Sequence, residues 1–156
     1  DSKKLSSQQR ERAYTEIYKK AICGIGVMNE SVIDTVNILN ATRLAMEQAV
    51  GNLFYLLRKR INKNKVIILI DGNVSLNLPF KTKNIISGDS KSLSIASASI
   101  IAKVMRDRMM SVYHKVYPKY SFIKHKGYGT KEHLKAIKRF GPCPIHRLTF
   151  NPLNQL

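Results

Sequence analysis

The chain has 156 residues, 44% of them apolar, which suits one globular domain, residues 1–156, with a continuous buried core. Its 27 Lys and Arg against 10 Asp and Glu give a formal charge of +17, self-repelling unless a polyanion answers it, so nucleic acid is the expected partner and an anionic membrane surface the alternative. No apolar run approaches the ~18–20 residues of a spanning helix and no signal-peptide pattern opens the chain, so the expectation is a soluble, cytoplasmic, monomeric protein without a membrane partner.

In chain order, Ser6-Ser7-Gln8-Gln9 reads as a capping box ahead of a helix over Ser7 to Lys20, with Ala13, Tyr14, Ile17, Tyr18 and Ala21 at helical spacing. The apolar, glycine-containing run Ile22 to Met28 predicts a strand with close backbone neighbours. Its Gly24-x-Gly26 is too incomplete for a dinucleotide fingerprint. A short helical turn near Ser31–Val36 precedes a long amphipathic helix marked by Ala41, Leu44, Ala45, Ala49, Leu53, Phe54 and Leu57. Lys65 to Ile70 is a continuous β-branched run, predicting a parallel strand buried on both faces and stopping at Asp71-Gly72-Asn73. A second short strand, Asn84 to Ile86, ends at Gly88-Asp89. The next helix runs from about Lys91 to His114, its inner face assigned to Leu93, Ala96, Ile100 and Val104. A glycine-rich basic loop, Lys124 to Gly129, leads to Thr130 as N-cap of a helix to Arg139, and a tail with Pro142, Pro144 and Pro152 reads as irregular.

Strands alternating with helices predict an α/β sheet, whose sites gather beyond the carboxyl ends of its strands. Asp71 and Asp89 sit there. The other eight acidic residues, Asp1, Glu11, Glu16, Glu30, Asp34, Glu47, Asp107 and Glu132, fall where solvated or helix-end roles suffice. Carboxylates at neighbouring strand ends are what Mg²⁺ or Mn²⁺ bind, and two such ions can clamp a phosphodiester. The competing reading is that Asp-Gly-Asn forms a turn and Asp89 caps a helix. No GxSxG, GxxxxGK[ST] or HExxH occurs. His114, His125, His133 and His146 share no metal-ligand spacing and read as surface or structural residues, and Cys23 and Cys143 as separated thiols. In the Lys124–Thr130 loop, Gly127 and Gly129 permit close backbone approach around Tyr128, a stacking face, although an ordinary Gly-rich turn would look the same.

The blocks Asp1 to Ser6, Asn37 to Thr42, Asp71-Gly72-Asn73, Gly88 to Ile100, Lys124 to Thr130 and Gly141 to Arg147 resemble the bacterial ribonuclease HII family in order and spacing, over essentially the whole chain. The resemblance implies the ribonuclease H-like fold, a mixed sheet with flanking helices. It also implies endonucleolytic hydrolysis of RNA in RNA/DNA hybrids and at ribonucleotides embedded in DNA, on the 5′ side of the ribonucleotide, with two Mg²⁺ or Mn²⁺ ions. Asp71 and Asp89 match two of the family's catalytic, metal-holding carboxylates. Tyr128 matches the tyrosine that stacks at the RNA–DNA junction, and Lys124, Lys126, Gly127 and Gly129 build the substrate-binding loop around it. The family opens with Asp-Glu-Ala-Gly-Arg-Gly on a first, central strand, and no such block occurs here. The expectation is therefore an N-terminally incomplete chain, inactive by itself, belonging to a longer catalytic parent. The alternative is a noncatalytic nucleic-acid-binding module of the same fold.

Overall fold

A computed structural model describes residues 2–57, 62–151 and 153; Asp1 and Pro152, named above, lie outside them. The first helix, α1, runs Ser7–Lys20 as the capping box predicts. Ser6 Oγ accepts the Gln9 N–H at 3.2 Å, and Gln9 Oε1 accepts the Ser6 N–H at 2.8 Å, satisfying two donors that the first turn would leave open.

The expected strand at 22–28 does not form. A strand exists only through a partner's ladder, and here the segment lies instead against helix α2, Glu30–Leu57. A Cβ at Gly24 would overlap the Ala49 carbonyl and stand 2.6 Å from Leu53 N. One at Gly26 would overlap the Ala45 carbonyl and stand 2.8 Å from Ala49 N. Side chains of α2 take over the ladder's work, as Gln48 Oε1 accepts the Val27 N–H at 2.7 Å and Asn52 Nδ2 donates to the Ile25 carbonyl at 2.8 Å. Close backbone approach was the correct part of the expectation. The helix α2 bends at Asn37, whose φ of 67° and ψ of 167° are non-helical. Its Oδ1 then accepts the Asn40 N–H at 3.1 Å and restarts the helix, which accounts for the two helical stretches read from the sequence.

Strands β1, Ile67–Asp71, and β2, Lys81–Ile85, pair in parallel with Ile67 opposite Lys81 and Asp71 opposite Ile85. The expectation of burial on both faces fails: only Ile70 of β1 is buried, and Ile67 is 56% exposed. Among the described residues the sheet has these two strands alone, so much of β1 has nothing to pack beneath. The crossover, residues 72–80, is irregular and is held by α2. Phe80 stacks on Phe54 with centroids 4.3 Å apart, and Glu47 Oε1 accepts the Asn77 N–H at 2.7 Å.

The helix expected from Lys91 is two: a single turn, α3, Gly88–Lys91, and then α4, Leu93–Val116, capped by Ser92. Of the inner face assigned by sequence, Val104 is buried and Ala96 and Ile100 are half-buried, and Leu93 alone is misplaced. Ile95, Ile101, Val104 and Met110 are buried, whereas Leu93 is 84% exposed. Beyond α4, the turn α5, Phe122–His125, and helix α6, Lys131–Phe140, close the core over Met110, Tyr120, Phe122, Ile137 and Cys143. Thr130 caps α6 as expected, its Oγ1 accepting the His133 N–H at 3.3 Å. The tail is irregular, and Asp34 holds it from α2 by accepting the Leu148 and Thr149 N–H groups at 2.8 and 3.2 Å. Among the described residues no helix is long and apolar enough to cross a membrane.

Candidate active site

Strand β1 ends by delivering Asp71 to its carboxyl edge, where the side chain is exposed. The turn beyond it is braced: Gly72, at φ 80°, donates its N–H to the Ile85 carbonyl at 3.0 Å, and Asn84 Nδ2 donates to the Gly72 and Val74 carbonyls at 3.2 and 2.8 Å. Strand β2 then reverses through Ser87, whose φ of 55° is left-handed. That reversal aims the Gly88 N–H at Asp71 Oδ1, 2.7 Å away. Gly88 is buried, and a Cβ there would meet Ile95 Cδ1 at 2.6 Å and Asp71 Oδ1 at 3.3 Å.

Asp89, half-buried, is the next residue, so the two aspartates are joined through one peptide unit and one hydrogen bond. The reading of Asp89 as a helix cap is not what the chain does, since Ser87 and Ser92 occupy the N-cap positions of α3 and α4. Among the described residues no group of three or more His, Cys, Asp or Glu could hold a metal ion. The arrangement is a pair of carboxylates at a strand end. One oxygen of Asp71 is fixed by a main-chain donor and offers a hard cation a preset direction.

Lys124 and His125 lie on α5 rather than in a loop, so the basic loop begins at Lys126, at φ 51°, and turns through Gly127, at φ 83°. Gly127 lies against α4, where a Cβ would stand 3.2 Å from Met110 Cε. Gly129 meets nothing within 4 Å. Between them Tyr128 is 61% exposed, which disfavours a ring packed into the core as a loop anchor. Lys126 Nζ donates to Ser111 Oγ at 3.1 Å, and the Lys124 ammonium pairs with Glu132 at 3.0 Å. That bond, with the ammonium's charge, holds the Glu132 carboxyl below its ordinary value.

Sequence reasoning missed the residues of α4 and α6 that hold this loop. Lys103 Nζ stands 5.5 Å from the Tyr128 ring centroid while pairing with Asp107 at 2.7 Å, and Arg106 reaches the Lys126 carbonyl at 3.5 Å. His133 Nδ1 lies 3.0 Å from the Tyr128 carbonyl. The i, i+4 spacing of Lys103 and Asp107 was readable as an ion pair; their relation to Tyr128 was not, because it spans separate elements.

The sequence profile described as Ribonuclease HII matches residues 1–152. The ribonuclease HII of Caldanaerobacter subterraneus is 50% identical over 152 residues, covering 96% of this chain and 59% of that protein. The ribonuclease HII of Pseudothermotoga lettingae is 48% identical over 153 residues, covering 98% and 64%. The chain thus spans about three fifths of the length of these curated relatives. The crystal structure of ribonuclease H2 from Pyrococcus horikoshii shares the fold, with a TM-score of 0.72 at 22% identity over 99% of this chain and 78% of that one. With a profile match across nearly its whole length and relatives about half identical to it, this chain belongs to the ribonuclease HII family.

Proposed function

We propose that this chain is the larger part of an endonuclease that hydrolyses RNA in RNA/DNA hybrids and at ribonucleotides embedded in DNA. Residues 1–156 form one domain of it, completed by a further strand that brings the remaining carboxylates. The observation that carries this reading is the Asp71–Gly88 hydrogen bond, which holds one carboxylate in place immediately beside Asp89. Two carboxylates suit Mg²⁺ or Mn²⁺, since these ions take one or two from protein and complete their shell with water and phosphate oxygens. When bound, a pair of such ions supplies charge neutralisation at the scissile phosphate and an activated water in line with it. Asp71 and Asp89 would hold such ions at the sheet edge together with the carboxylates of the further strand, and cleavage on the 5′ side of the ribonucleotide would leave a 3′-hydroxyl and a 5′-phosphate. The exposed Tyr128 ring stacks at the junction and senses the 2′-hydroxyl, which is how RNA is told from DNA. Lys124 and Lys126 flank it and hold phosphates, while Gly127 and Gly129 let the loop lie close to the backbone.

A second reading, a noncatalytic binding module, is favoured for residues 1–156 alone by the +17 charge and by the lack, among the described residues, of a third carboxylate near the pair. Cleavage of a duplex carrying one ribonucleotide by the full-length protein, with Mg²⁺ and with chelator, tests the proposal. Metal-dependent cutting 5′ of the ribonucleotide is the expected result, and binding without cutting would establish the module instead.

A further inference from the structure

Three histidines from three places in the chain, 125, 133 and 146, meet Cys143 in the core beneath the tyrosine loop, and the proposed chemistry uses none of them. His125 and His133 stack with centroids 4.3 Å apart, and Phe122 packs edge-on to both. With neutral rings, their hydrogen bonds assign the ring protons in turn. The Tyr128 carbonyl, 3.0 Å from His133 Nδ1, can only accept, so His133 carries its proton there. Its Nε2 must then accept across 3.1 Å from His146 Nε2, which makes His146 the Nε2–H tautomer. The remaining nitrogen, His146 Nδ1, accepts the Cys143 N–H at 2.9 Å; the Cys143 carbonyl, 3.2 Å from the same nitrogen, already accepts the His146 main-chain N–H at 2.9 Å. The Cys143 thiol at 3.1 Å can donate to Nδ1 as well. A separate pair of bonds treats His125 alike: Nε2–H donates to the Tyr120 carbonyl at 2.7 Å, and Nδ1 accepts the Gly127 N–H at 3.2 Å.

We propose that His133 and His146 are positioning residues for Tyr128, forming a one-way relay of two neutral imidazoles that fixes its carbonyl, and that a proton added to His133 releases the loop. The proposal rests on the reading of Tyr128 as the substrate-contacting residue. A proton on His133 Nε2 would face the His146 N–H across 3.1 Å and replace an attraction by a repulsion, whereas one on His146 Nδ1 would meet the Cys143 carbonyl at 3.2 Å as well as the Cys143 N–H at 2.9 Å. Both rings are buried, and desolvation foremost holds their basicity below the ordinary histidine value. The groups facing the relay act in both directions, the Tyr128 and Cys143 main-chain hydrogen bonds favouring the charged forms of His133 and His146. His125 on α5 opposes a charge on either ring, Tyr120 tilts against His146 at 5.1 Å as a neutral phenol, and the Cys143 thiol is raised by burial with Glu30 of α2 contributing.

The test uses the full-length protein and two readouts besides activity. Nitrogen NMR of the histidine rings at about pH 8 is expected to show His133 protonated on Nδ1 and His146 on Nε2. Amide protection of residues 127–130 is expected to fall about tenfold on acidification to about pH 5.5, while α1 keeps its protection. His133→Asn places a donor near the Nδ1 position but has no second nitrogen to face His146. It should keep most loop protection and lose the pH dependence, whereas His133→Ala should lose protection at every pH. Opposite tautomers, loop protection indifferent to pH, protection lost uniformly through α1, or His133→Asn behaving as His133→Ala would each overturn the relay. If the relay holds but Tyr128→Ala leaves ribonucleotide preference unchanged, the reading of Tyr128 has failed and the relay has not.

Discussion

Lys103 stands over the Tyr128 ring at 5.5 Å while its ammonium is held by Asp107 at 2.7 Å, so the ring keeps a cation on one side and solvent on the other. A stacking platform needs that arrangement: a fixed ring with one face open. Tyr128→Ala in the full-length protein should weaken cleavage at a single embedded ribonucleotide by the equivalent of roughly 1–3 kcal/mol, with little change in melting temperature. Tyr128→Phe should keep the stacking. Kinetics on one-ribonucleotide and all-ribonucleotide strands, measured beside thermal unfolding, check this, and equal loss on both in step with stability would make the tyrosine structural.

For the carboxylate pair, Asp71→Asn should remove most hydrolysis and leave hybrid binding nearly intact, because phosphate contacts by a strongly basic chain supply the affinity. Gly88→Ala should act in the same direction through geometry, since its new methyl would press on Ile95 and Asp71 together. Full turnover by Asp71→Asn in Mg²⁺ would remove the residue from the mechanism.

Residues 1–156 by themselves should bind a hybrid duplex with steep salt dependence and cut nothing, as two carboxylates cannot hold two ions in catalytic geometry. Titration at several salt concentrations beside a cleavage assay measures both. Cutting at the parent protein's rate would contradict the expectation.

Gly26→Ala should be among the most damaging single changes, costing more than about 3 kcal/mol, because the added carbon lands on the main chain of α2 and no rotamer relieves it. Gly129→Ala, with nothing within 4 Å, should cost far less stability. Denaturant unfolding of the two variants compares them directly.

Burial lowers the basicity of His133 and His146 from the ordinary value of 6.5. The unfolded chain therefore binds more protons than the folded one below that value, so stability from this cluster is complete above about pH 6.5 and falls as the pH drops toward the folded values. Denaturation midpoints across this range should fall with acidification in the wild type. In His133→Asn, which removes one of the two titrating groups, the slope should be shallower, and an unchanged slope would acquit His133.

The features legible in sequence are those whose cause is local. Ser6 with Gln9 and Thr130 with the His133 amide are caps, three residues apart, and both formed where the spacing put them. The strand at 22–28 was misread because β structure belongs to a pair, and composition shows only one member. Its glycines fitted close approach to a helix as well as to a sheet. Leu93 was misplaced because the helix that follows the single turn at Gly88–Lys91 starts at that residue, so its side chain stands at an exposed helix end. The aspartates were visible through rarity, but the Ser87 reversal that joins them was not. The histidine relay left a fainter signal: His125 and His146 lie in glycine- and proline-punctuated segments and His133 on the short helix between them, where no proposed chemistry calls for them.

The grip of Asp34 on Leu148 and Thr149 ties together positions 114 and 115 residues apart. Contacts of such separation form slowly, because the loop-closure entropy is lost before the contact rewards it. A nascent chain emerging from the ribosome would expose α1 and α2 long before the residues that bind Asp34 existed. The Asp34 end of α2 must therefore wait, unclasped, for residues 148 and 149.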